Sequence, residues 1–133
     1  MAHPFRPLNV STLSGTYAVL RFAPDADIPA WATYGEFFSV TRSKDELSVV
    51  CGLENLPEGK RAEKEWRVLK VGGPFSFDEI GVLASLVQPL AKEQVSVFVI
   101  STFDTDYLLI QSSRLQKAIQ TLRDAGHHVV DSL

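Results

Sequence analysis

The sequence is short of most features that would announce a function. It has one cysteine, Cys51, and a lone thiol closes no internal disulfide, so a reducing compartment is expected. It has no apolar run near the roughly 20 residues that a membrane helix needs. Its opening residues, MAHPFRPLNVST, hold no apolar signal core. A soluble, cytoplasmic protein without membrane partners is therefore expected. Lys and Arg number 13 against 16 Asp and Glu, giving a net charge of -3 with the signs interspersed. No basic stripe interleaved with aromatics offers a nucleic-acid surface. No phosphate-loop or dinucleotide glycine pattern occurs, and no His or Cys pair stands at zinc spacing. Neither cofactor nor metal is implied, and no nucleophile–base pattern points to an enzyme.

What is present is a packed-core composition: 133 residues, 45% hydrophobic, enough for one compact domain or two very small ones. GTYAVLRFA (15–23) is rich in β-formers and reads as a strand. Pro24 and Pro29 break the following segment, leaving a loop with one helical turn around Ala30 to Thr33. EFFSVTR and ELSVVCG are two strands joined by SKD, a hairpin pattern. The charged run 54–65 with Pro57 and Gly59 reads as a solvated connection between halves.

In the second half EWRVLKV is a strand and Gly72 to Pro74 a turn. Ser76 with Glu79 forms a capping box, in which each side chain satisfies a backbone donor of the other, and opens a helix. Phe77, Ile80, Leu83, Val87 and Leu90 give that helix one apolar face, and Pro89 should kink or end it. VSVFVIS is a near-continuous apolar run, the pattern of a central buried strand. DYLLIQ is the next strand. Ser113 with Gln116 caps a second helix with a face of Leu115, Ala118, Ile119 and Leu122, ended by Gly126. HHVVD is a last short strand. The order β-α-β-β-α-β over 65–131 is the ferredoxin-like split βαβ unit. The first half is a shortened version of it, so the fold class is α+β with antiparallel sheets. The division expected is 8–62 for an abbreviated unit with its linker and 63–133 for a complete one.

Two regions carry candidate site chemistry. Asp104 and Asp106, two apart on an extended chain, would share a face about 6.6 Å apart and favour an ammonium, a guanidinium or a metal ion. The plainer reading makes Asp104 a turn residue and Asp106 a solvated strand start. The pair lacks the third acid and the glycine of a calcium loop. Gly72 and Gly73 permit close backbone approach, and free N–H groups of a helix starting at Ser76 would suit a carboxylate. An ordinary strand-to-helix turn explains the same residues. Cys51, after Val49 and Val50, reads as a small buried hydrophobe. His127 and His128 point to opposite faces of a strand and read as surface or edge positions. Trp31 and Trp66 suit core or interface packing.

The βαββαβ order with GVLASLVQPLAKEQVSVFVIST resembles the ACT domain, a small ligand-binding module of amino-acid metabolism. GTYAVLRFAPDADIPAW, FFSVTRSKDELSVVC and ISTFDTDYLLI make the whole chain similar to short stand-alone bacterial proteins of two tandem ACT-like units. STFDTDYLLI also resembles a segment of the eukaryotic cytosolic arginine sensors. That resemblance implies that the Asp106 carboxylate contacts the ligand's guanidinium, with backbone contacts at Thr102 and Phe103. It implies a second contribution at Ser39 and Val40, and closure by Gly72 and Gly73. The sequence departs from the sensors at Asp104 and Thr105. The implied function is a non-catalytic regulatory module that binds a small molecule, an amino acid, at an interface of ACT units. The implied assembly is a homodimer with a regulated protein partner. The alternative is an interaction or oligomerisation module with no small ligand.

Overall fold

A computed structural model describes residues 6–72 and 80–130. The chain divides into two compact units, one comprising Gly15–Trp66 and the other Met1–Ser14 with Arg67–Leu133. The strand β5 (Glu63–Val71) passes from one into the other, and the expected division at 62/63 falls at its start.

The C-terminal unit follows the βαββαβ order: β5, α1 (Val82–Lys92), β6 (Phe98–Ser101), β7 (Asp106–Gln111), α2 (Leu115–Asp124) and β8 (His128–Val130). It also holds a strand that sequence reasoning missed, β1 (Asn9–Thr12), which had been placed in the first unit. In a plain βαββαβ sheet the last strand pairs with the first. Here β1 stands between them, antiparallel to β5 (Val10↔Val71) and parallel to β8 (Val10↔Val129). β6 and β7 pair antiparallel, and β7 lies between β5 and β6.

Both helices lay their apolar side on one sheet face. Leu86 and Leu90 of α1 and Leu115, Ala118, Ile119 and Leu122 of α2 pack with Leu69, Val71, Leu108 and Ile110. The α2 face is the expected one. The start of α1 is not: the helix begins at Val82 behind Gly81, and Ile80 lies outside it, 87% exposed. The Ser76–Glu79 capping box and Phe77 fall outside the described residues. Nor does Ser113 cap α2, because Ser112–Arg114 form a 3₁₀ turn and Arg114 takes the N-cap position.

Both helices end in Schellman turns, with the N–H groups of the first two residues past the cap turned back onto the last carbonyls. Gly126 (φ +100°) donates to Arg123 and His127 to Leu122, while Gln94 (φ +60°) donates to Ala91 and Val95 to Leu90. The second turn corrects the reading of VSVFVIS. Its first residues close α1, and only Phe98–Ser101 form a strand. Among the described residues that strand pairs with β7 alone and is half-buried, an edge rather than a centre.

His127 is a further correction, for it is buried. Its Nδ1 accepts the Leu8 N–H at 3.1 Å, so its Nε2 carries the proton and donates to the Ser85 carbonyl at 3.0 Å. That carbonyl would ordinarily accept from the residue four positions on. Here that residue is Pro89, which has no N–H. His127 supplies the donor that proline cannot, and α1 continues through Pro89 to Lys92.

The N-terminal unit contains β2 (Tyr17–Phe22), β3 (Ser39–Arg42), β4 (Leu47–Gly52) and the start of β5, in the order β3-β4-β2-β5. The only helical segments among its described residues are 3₁₀ turns at Ala30–Thr33 and Leu53–Asn55. Its core is small: Ala18, Leu20, Ala32, Leu47, Val49 and Cys51. Burial pushes the Cys51 thiol above its ordinary pKa. Where β2 meets β5 the register slips between Tyr17 and Val19, and Glu65 takes a left-handed φ of 68° at this bulge.

Candidate functional site

The hairpin between β6 and β7 answers whether the two carboxylates form one site. Thr102 donates its N–H to the Thr105 carbonyl at 2.8 Å. Its hydroxyl accepts the Thr105 N–H at 3.3 Å and donates to the Thr105 carbonyl at 3.0 Å. A threonine side chain thus closes a tight turn with Phe103 and Asp104 at its tip. The extended geometry expected for Asp104 and Asp106 is therefore broken. Asp106 begins β7 opposite Ser101, and its Oδ1 accepts the Ser101 hydroxyl. Asp104 stays at the exposed tip.

Thr105 fixes this turn to the sheet. It is buried, and its hydroxyl donates to the Val71 carbonyl at 2.6 Å, at the end of β5. The next residue, Gly72, donates to the Asn9 carbonyl at 2.7 Å. A Cβ on Gly72 would sit 3.0 Å from that carbonyl oxygen, so close backbone approach by β1 accounts for this glycine without a ligand.

The turn, the end of β5 and β1 together enclose an open depression of ≈ 360 Å³, lined by Ser11, Lys70, Gly72, Thr102, Asp104, Thr105 and Tyr107. That is at the small end of the roughly 300–1,000 Å³ typical of small-molecule sites. Lys70 lies between Leu69 and Val71, and Tyr107 precedes Leu108. Those neighbours face the helices, so alternation along the strands turns Lys70 and Tyr107 to the opposite face. Ser11 is the register partner of Lys70. Among the described residues no ion pair engages Lys70 or Asp104.

Of the residues singled out in the sequence, the depression gathers Gly72, Thr102 and Asp104. Phe103 is 78% exposed at the tip of the turn, and Asp106 is turned into the hairpin ladder. Ser39 and Val40 lie on β3 of the N-terminal unit, paired with Val50 and Val49, and Val40 packs on that unit's core. Gly73 lies outside the described residues. Sequence reasoning missed Lys70 and Ser11. Each becomes visible only through the β1–β5 pairing, and β1, four residues long, carried too little pattern to be read. Among the described residues no group of three or more His, Cys, Asp or Glu could hold a metal ion, and no helix is long and apolar enough to cross a membrane.

A family model described as "ACT domain" matches residues 61–124, and a second model, of an N-terminal domain, matches 15–59. A crystal structure of an Agobacterium tumefaciens protein is 39% identical, covers 96% of this chain and 95% of its own, and superposes with a TM-score of 0.89. The chain carries an ACT domain. Its C-terminal ACT unit is the complete one, α1 and α2 lying within the matched span and β8 beyond it. The human cytosolic arginine sensor for mTORC1, subunit 1, is 37% identical over 59 residues, 44% of this chain. The match spans only 18% of that sensor's length. The ligand-free regulatory subunit of Thermus thermophilus aspartate kinase shares the fold at 13% identity, with a TM-score of 0.59 over 86% of this chain and 94% of its own. These ACT structures are ferredoxin-like α+β folds, as the strand order here also is.

Proposed function

We propose that this protein is a non-catalytic regulatory module that binds a free α-amino acid in the depression of its C-terminal ACT unit. The observation that carries the reading is one ammonium, Lys70, and one carboxylate, Asp104, lining the same depression. A zwitterion needs that pair: Lys70 for its α-carboxylate, Asp104 for its α-ammonium. The similarity to an arginine sensor and to an aspartate kinase regulatory subunit supports the same reading. The role that sequence reasoning gave Asp106 passes to Asp104. Binding would tie the turn 102–105 to β1 and β5, and a regulated partner protein would sense the tightened hairpin.

Thermal unfolding against the free amino acids tests the proposal. A ligand at a hundred times its Kd adds about 2.7 kcal/mol to stability. The expected result is a rise in Tm with a few amino acids that Asp104→Asn abolishes, Asp104 being exposed and the variant folded. No rise with any amino acid would overturn the reading. In that case homodimerisation gains weight, since β6 pairs with β7 alone among the described residues and leaves an edge for a second copy.

A further inference from the structure

The charges and hydroxyls of the depression narrow the ligand further. Among the described residues its lining holds one cation and one anion, and a zwitterionic α-amino acid consumes both. A basic side chain would bring a second cation into a half-enclosed site with no second carboxylate among the described lining residues to meet it. Asp106, the nearest carboxylate in sequence, is turned into the hairpin by its bond from Ser101. A single carboxylate cannot pair fully with an α-ammonium and a guanidinium at once. An acidic side chain meets the mirror problem, because Lys70 is the only cation in the described lining. Leaving a charge partly desolvated and unmatched costs more than leaving it in water.

The hydroxyls differ in what they have left to give. Thr105 donates to Val71, and Thr102 is spent on closing the turn. The Ser11 hydroxyl, beside Lys70 in the ladder, has no hydrogen-bond partner among the described residues. It is placed to meet a polar group on the ligand's side chain.

We infer that the depression selects an α-amino acid with an uncharged polar side chain over the basic amino acids, with Lys70 and Ser11 as the residues that set this preference. This rests on the amino-acid reading proposed above.

The test is isothermal titration of the full chain with serine, threonine, asparagine, glutamine, leucine, glutamate, lysine and arginine, repeated on Lys70→Glu and Ser11→Ala. Both positions are outside the core, and far-UV circular dichroism with urea unfolding checks that each variant is folded. In the wild type one of the four neutral polar amino acids should bind at least about tenfold more tightly than arginine or lysine. Lys70→Glu makes the lining twice anionic, and the preference should invert toward arginine or lysine. Ser11→Ala should weaken the neutral polar ligand and leave leucine unchanged. Arginine or lysine binding the wild type as tightly as the neutral set would overturn the inference and leave amino-acid binding standing. So would leucine or glutamate as the best ligand, or an unchanged preference in Lys70→Glu. No binding by any amino acid would overturn both.

Discussion

The two units close their hairpins with the same device and anchor them differently. In the N-terminal unit the Ser43 hydroxyl accepts the Glu46 N–H while the Ser43 N–H donates to the Glu46 carbonyl. In the C-terminal unit Thr102 and Thr105 repeat that pattern. The first turn is held from outside, by Arg21 donating to the Asp45 carbonyl at an exposed site. The second is held from within, by buried Thr105 on the end of β5. The cores differ in the same way. Among the described residues fourteen buried side chains pack under two helices in one unit, and six pack under 3₁₀ turns and loops in the other. A turn anchored in a core keeps a fixed distance to neighbouring strands, which a binding site needs. Only a unit with helices over its sheet supplies that anchor here.

The largest effect that would break this comparison comes from matched cavities. Leu122 and Leu47 are both fully buried, one on α2 and one on β4. A buried Leu→Ala change costs about 2–5 kcal/mol, depending on how far the surroundings collapse. Leu122→Ala should fall at the upper end, because helix and sheet enclose it rigidly. Leu47→Ala should fall at the lower end, because loops and a 3₁₀ turn can move inward. Equal losses in urea unfolding would mean that the smaller core is as rigid as the larger.

A somewhat smaller effect sharpens the account of the C-terminal unit. His127→Leu leaves the Leu8 N–H and the Ser85 carbonyl without their partner, at about 1–3 kcal/mol for each buried group. Pro89→Ala restores a backbone donor for Ser85. The double variant His127→Leu/Pro89→Ala should therefore recover about 1 kcal/mol relative to the sum of the singles. Strict additivity would show that His127 does not complete the helix.

Much of the fold was legible because its signals are local. The β7 and α2 residues alternate or repeat strongly enough to give both element and buried face. The capping box at Ser113 was misleading because a capping pattern is short, and four residues cannot register what the chain does before it. VSVFVIS read as a central strand because hydrophobicity does not distinguish burial under a helix end from burial in a sheet. The site was legible in part. Gly72, Thr102 and Asp104 lie in sequence near the turns that form it. Lys70 and Ser11 join through a pairing of residues far apart in the chain. Asp106 was favoured by the resemblance to the arginine sensors, and its pairing with Asp104 came from alternation extended through a turn that the Thr102 hydroxyl interrupts. The burial of His127 depends on a carbonyl 42 residues away that proline leaves open.

The smallest effect isolates the N-terminal unit, because both groups with a clear shift among the described residues lie there. Burial raises the pKa of Cys51 above 9.0. Burial, then Glu36 and Glu54, raises that of Tyr17 above 10.0. Each group stays protonated in the folded chain at a pH where the unfolded chain has released its proton. The unfolded state then binds fewer protons, so stability falls as pH rises. The contribution of each is complete below its unfolded value and is lost as pH climbs toward the raised one. For one proton the slope is at most about 1.4 kcal/mol per pH unit. Urea unfolding from pH 7 to 10 should show a decline beginning near the ordinary thiol range. Cys51→Ala should delay that decline until the tyrosine range and leave the pH 7 to 8 segment flat. A wild type and Cys51→Ala that decline in parallel would mean that the thiol is not held neutral, and that the small core is open to water at β4.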